Sequence, residues 1–271
     1  MWKNFSKENL DKAYNNSLAV ANSAEIVRSW VQSSISAKEK LPGDCDISYG
    51  DTKFQSFDFF SAGDNAPVIV FLHGGFWQMR SKDDFTFVAP PLVQAGFSVA
   101  MLGYRLAPYA NMHEIVRDVR DGLKAIGVYM NKNQMVPQGL WLIGWSAGAH
   151  LISMVQDEEC VLGGTAISGI YDLEPMRHCY INEKLALDEG TSLKNSPILL
   201  QQNTSKPLDI FVGGSELPEM QRQSVDFSVY RNSTEAEGSF KTIPEKNHYT
   251  ILDELTDKNG EIFKVLVSRL I

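Results

Sequence analysis

Apolar residues Leu10, Ala13, Tyr14 and Leu18, then Ile26, Val27 and Trp30, recur at roughly helical spacing through residues 7–40. Pro42-Gly43 ends that region. The pattern then changes. Runs at 45–49 and 54–60 read as β-strands, and Pro67-Val68-Ile69-Val70-Phe71-Leu72 is a continuous apolar run of the type found in strands buried on both faces. Strand and helix alternate from there: a helix near 83–95, a strand at 97–102, a helix near 112–130, a strand at 139–144 and a helix from 146. Strands at 161–168, 208–212 and 238–243 follow, with a helix near 218–231 and a last one from about 259 to 271. This alternation predicts an α/β fold, with a mostly parallel central sheet and helices on both faces. Residues 170–206 carry no clear strand, and a connection that long predicts a lid or substrate loop. No repeat, linker or low-complexity segment divides the chain, so residues 1–271 are expected to form one domain.

Composition narrows the class. Of the 271 residues 44% are hydrophobic and 21% charged, the balance of a globular protein with a large core. The formal net charge of −8, with no Lys/Arg-rich run, argues against nucleic acid as a partner. Cys45, Cys160 and Cys179 are too few and too scattered for a disulfide framework or a metal knuckle. No apolar run approaches the roughly 18 residues that span a bilayer. The polar N-terminus lacks the apolar core of a signal peptide, so the expected setting is cytoplasmic, without membrane partners. Homodimerisation is left open.

Chemistry enters at Gly144-Trp145-Ser146-Ala147-Gly148, which matches the nucleophile elbow that lifts a serine hydroxyl above the carboxyl edge of a sheet. The pentapeptide alone is weak, but a strand-like run precedes it and a helix-like run follows, as the elbow requires. Upstream, His73-Gly74-Gly75-Phe76-Trp77 closes a predicted strand. Glycines there let backbone N–H groups face a substrate oxygen, which makes Gly75, Phe76 and Ala147 the candidate oxyanion-hole donors.

The serine needs a base, and the chain has five histidines. His73 lies in the oxyanion loop; His113 and His150 fall on helical stretches that suit packing; His178 lies in the long loop. His248, after the last predicted strand, completes the chain order nucleophile, acid, histidine. For the acid, Glu216 stands in the turn after a strand and is preferred over Glu219, which Pro218 places in the first turn of a helix. Asp209, mid-strand, ranks third.

These stretches resemble the kynurenine formamidase (arylformamidase) branch of the α/β-hydrolases. The resemblance spans residues 73 to about 250 and rests on His73-Gly74-Gly75-Phe76-Trp77, Gly103-Tyr104-Arg105-Leu106-Ala107-Pro108, Gly144-Trp145-Ser146-Ala147-Gly148-Ala149-His150, Ile167-Ser168-Gly169-Ile170-Tyr171-Asp172-Leu173-Glu174-Pro175 and Pro218-Glu219-Met220-Gln221-Arg222-Gln223-Ser224. The first three stretches are shared by many esterases of the fold. The last two are narrower. The resemblance maps the acid onto Glu216, where animal members carry aspartate, and Leu217 departs from the small residue common there. It implies hydrolysis of N-formylkynurenine to formate and kynurenine through a Ser146–His248–Glu216 triad and an acyl-enzyme, with no metal or organic cofactor. Phe76, Trp77, Tyr104 and Tyr171 are candidates for an aromatic wall against the substrate ring, and each suits the core equally well. The alternatives are a carboxylesterase or other small-amide hydrolase, and a hydrolase-fold binding protein without turnover.

Overall fold

Val68, Val70 and Leu72 pack into one apolar cluster while Ile69 and Phe71 pack into a second, so a single five-residue strand feeds both faces of the central sheet. The computed structural model of the protein describes residues 3–200 and 205–271. Its eight strands are β1 (Asp44–Ser48), β2 (Ser56–Phe60), β3 (Val68–Leu72), β4 (Ser98–Leu102), β5 (Leu140–Trp145), β6 (Val161–Ile167), β7 (Leu208–Gly213) and β8 (Phe240–Ile243). They form one sheet in the order β1-β2-β4-β3-β5-β6-β7-β8. The run from β4 to β8 is parallel; β1 and β2 are antiparallel at one edge. This is the mostly parallel α/β sheet expected from the alternation of elements, in the α/β-hydrolase arrangement that the resemblance implies.

Helices cover both faces, as parallel strands require. On one side Ile115, Val119, Leu123 and Ile126 of helix Met112–Lys132 pack with Met220 and Phe227 of helix Pro218–Ser233. On the other, Trp30 of helix Ser23–Lys40 packs with Leu92, Ile262 and Leu266. Among the described residues no helix is long and apolar enough to cross a membrane.

Two helical stretches are subdivided. Residues 7–40 form three helices, Lys7–Ala13, Asn16–Ala19 and Ser23–Lys40, the first two opened by the side chains of Ser6 and Asn15 accepting backbone N–H groups. The stretch near 83–95 is a 3₁₀ turn, Lys82–Val88, followed by helix Ala89–Gln94, because Pro90 and Pro91 are tolerated only in a first helical turn.

The predicted lid segment, 170–206, is built of short helical turns at Pro175–His178, Asn182–Leu185, Glu189–Lys194 and Pro197–Leu199; residues 201–204 lie outside the described residues. Ile170, Tyr171, Leu173, Met176 and Ile181 are fully buried in the same cluster as the sheet, so the described part is a packed wall.

Candidate active site

Strand β5 ends in the tight turn the elbow pattern requires. Ser146 has φ 57° and ψ −117°, an unfavourable backbone for a non-glycine residue, and its N–H donates to the Ile167 carbonyl at 2.8 Å. The flanking glycines are steric necessities: a Cβ on Gly144 would lie 2.2 Å from the Gly148 oxygen, and one on Gly148 would lie 2.0 Å from the Leu72 oxygen. Ala147 opens helix Ala147–Met154, so its N–H has no acceptor within that helix.

His248 Nε2 lies 3.1 Å from Ser146 Oγ and its Nδ1 lies 2.7 Å from Glu216 Oε2. All three residues are buried. Short-range chemistry places the histidine: the Asn247 side-chain oxygen accepts the N–H groups of Tyr249 and Thr250, closing a turn directly after β8. Gly213 lets that turn approach, since a Cβ there would meet the Lys246 oxygen at 2.1 Å. Trp145 supports the ring from below, donating Nε1–H to the His248 carbonyl at 2.9 Å with the two rings 4.9 Å apart.

Glu216 is held at both oxygens. Oε2 meets His248, while Oε1 accepts the Gly213 N–H at 2.7 Å and the Ser168 hydroxyl. The competing acids are engaged elsewhere: Glu219 accepts from Tyr14 and Arg222, and Asp209 from Ser239 and Arg269. Ser168 escaped the sequence reading. Its only signal was its place in the Ser-Gly-Ile-Tyr stretch, because the left-handed backbone that turns its hydroxyl toward Glu216 (φ 54°) leaves no trace in residue type.

The His73–Trp77 turn is strained as well, with φ 118° at Gly75, 50° at Phe76 and 59° at Trp77. It lies against the nucleophile: a Cβ on Gly74 would be 2.9 Å from the Ser146 Cβ. Gly74 thus brings the turn that carries Gly75 and Phe76 against Ser146, which Ala147 follows directly in the chain. His73 anchors the turn, its Nδ1 2.8 Å from the Gly74 oxygen and its ring stacked on Tyr104 at 4.3 Å. Burial pushes its imidazole down to about 4, so it is neutral at pH 7.

The aromatic-wall expectation is corrected for Trp77, Tyr104 and Tyr171, all wholly buried. Trp77 donates to His150 Nδ1 at 3.2 Å, Tyr104 donates to the His73 carbonyl at 2.6 Å, and Tyr171 stacks on Phe227 at 4.1 Å. Each ring is engaged with a partner inside the protein, although Tyr104 also lines a cavity with His73, Phe54 and Arg80. Of the four aromatics only Phe76 remains partly exposed.

The other histidines have structural partners. His150 lies 2.7 Å by Nε2 from the Asn195 carbonyl and is pushed down to about 4 by burial; His113 meets Asn195 Nδ2 and His178 meets Glu174. Among the described residues one acidic trio, Asp46, Asp58 and Asp83, is close enough to hold a cation, but Lys38 and Lys82 already fill it, Lys82 Nζ lying 2.7 Å from both Asp46 and Asp58.

A family profile described as BD-FAE matches residues 60–160. A kynurenine formamidase of Danio rerio is 31% identical over 291 residues, covering 99% of this chain and 98% of its own, and one of Salmo salar is 29% identical with the same coverage. A solved structure from Silicibacter, described as a thioesterase, superposes with a TM-score of 0.84 at 25% identity, covering 96% of this chain and 98% of its own.

Proposed function

Because this chain belongs to the kynurenine formamidase family of α/β-hydrolases, we propose that it hydrolyses an aryl formamide, N-formylkynurenine, to kynurenine and formate through Ser146, His248 and Glu216. The observation that carries this reading is the unbroken hydrogen-bonded line from Ser146 Oγ through the His248 ring to Glu216. It gives the hydroxyl a base and the base an orienting carboxylate.

Ser146 Oγ attacks the formyl carbon as its proton passes to His248 Nε2. The new alkoxide faces the N–H groups of Gly75, Phe76 and Ala147, fixed before substrate arrives. Collapse breaks the C–N bond, and the imidazolium returns its proton to the departing aniline nitrogen. Water then loses a proton to His248 and attacks the formyl-serine ester, releasing formate and restoring the hydroxyl. Formyl is the least crowded acyl group, with only hydrogen on its carbon, so attack meets no steric barrier. His73 and His150 are buried against other partners, and the imidazole in contact with Ser146 Oγ is that of His248.

The test compares specificity constants for formyl, acetyl and butyryl amides and esters of one aromatic leaving group, together with N-formylkynurenine. A formyl preference well beyond the roughly 1–3 kcal/mol that a methylene contributes in an apolar pocket supports the reading. A rise from formyl to butyryl overturns it in favour of a carboxylesterase-type hydrolase. One observation favours that second reading: Trp77 is turned away toward His150, so of the two aromatics that follow the oxyanion-loop glycines only Phe76 stays partly exposed to restrict the size of an acyl group.

A further inference from the structure

Ser168 sits where β6 ends, between the strand that carries the nucleophile and the strand that leads to the acid. Its backbone N–H donates to the Phe211 carbonyl of β7 at 2.8 Å, and the residue before it, Ile167, accepts from the Ser146 N–H. The side chain is wholly buried and its hydroxyl donates to Glu216 Oε1. Its φ of 54° is the left-handed conformation that glycine occupies without strain. A residue that keeps a side chain there turns its hydroxyl onto the carboxylate in return for that strain.

We infer that Ser168 is a positioning residue for Glu216: together with the Gly213 N–H it pins Oε1 so that Oε2 is aimed at His248 Nδ1. The inference rests on the proposed triad. Glutamate needs such a clamp, since its side chain has one more rotatable bond than aspartate and its carboxylate pivots unless both oxygens are held. The Gly213 N–H, at 2.7 Å, fixes one direction only. A second donor to the same oxygen, from the neighbouring strand, fixes the plane of the group. Ser168 therefore couples the geometry of β6 to the orientation of the base without touching substrate.

The test is a double-mutant cycle on kcat, with thermal melting as a control. Ser168→Gly relieves the left-handed strain and removes the hydroxyl, so the melting temperature is expected to stay close to that of the wild type while kcat falls about ten- to hundredfold, with KM nearly unchanged. Ser168→Ala retains the strain and is expected to lose a similar factor in kcat. In a Glu216→Ala background, where there is no carboxylate left to aim, the Ser168 substitutions are expected to have almost no further effect on kcat. Equal losses in both backgrounds would overturn the inference, because they would show a structural role independent of Glu216; an unchanged kcat in Ser168→Gly and Ser168→Ala would also overturn it. A Glu216→Ala enzyme of full activity would instead overturn the triad on which the inference rests, and the two failures are thereby distinguished.

Discussion

Replacing Ser146 with alanine removes one buried oxygen and no packing, so the fold is expected to persist while turnover drops at least about a thousandfold, read by steady-state rates beside a melting curve. For the acid, Glu216→Gln is expected to lose far more activity than Glu219→Gln, because only Glu216 faces the imidazole and an amide cannot balance the charge the ring acquires. The reverse ranking would move the role to Glu219. The buried rings of His73 and His150 make a separate claim about pH. Their folded values, about 4, lie below the ordinary 6.5, so the unfolded chain binds more protons between those limits. The stability they confer is fully present above pH 6.5 and is lost as pH falls toward about 4. At about 1.4 kcal/mol per pH unit that is roughly 3 kcal/mol for each ring. Urea titrations across this window are expected to show the loss, and His150→Gln, less stable at pH 7.5, is expected to show a shallower slope. Ser146, His248 and Glu216 were legible because turn chemistry and chain order constrain them. The aromatic wall was misread because a tryptophan beside an oxyanion loop looks the same in sequence whether it faces a ligand or, like Trp77, a buried histidine.

At the scale of elements, the strands were legible to within two residues: β2 to β5 and β7 because a run buried on both faces announces itself by composition, and the largely exposed edge strands β1 and β8 by their place in the alternation. The split at Lys82–Val88 was not, since a 3₁₀ turn and the first turn of an α-helix share the same apolar spacing. That turn is tied down by charge. Lys82, 4% exposed, pairs with fully buried Asp58 on β2 and with Asp46 on β1, while Lys38 reaches the same group from helix Ser23–Lys40. Lys82→Met is expected to destabilise the protein by about 3–5 kcal/mol, because it removes one partner of a buried ion pair and leaves Asp58 with Lys38 as its remaining cationic neighbour. A change under 1 kcal/mol in a urea melt would show that Lys38 suffices. Trp30 links helix Ser23–Lys40 to the catalytic region. Its ring meets Trp145 edge-on at 5.4 Å, and Trp145 carries His248. Trp30→Ala is expected to cost about 3–5 kcal/mol and to lower kcat, whereas the same loss of stability with unchanged kcat would show that Trp145 holds its place alone.

For the whole molecule, the residues that flank the nucleophile come from the carboxyl ends of five parallel strands: the His73 turn after β3, Ser146 after β5, Ser168 after β6, Glu216 after β7 and His248 after β8. None of these strands pairs by a local hairpin, and partners such as Ser146 and His248 are separated by 102 positions in the chain. Loop closure over such distances must precede the contacts that reward it, which makes the sheet slow to assemble relative to its helices. No partial structure that lacks any of β5, β7 and β8 brings Ser146, Glu216 and His248 together. Activity is thus a late reporter of folding. After dilution from urea, hydrolysis is expected to return with the slowest spectroscopic phase, and a helical intermediate rich in circular dichroism signal is expected to turn over no substrate at all.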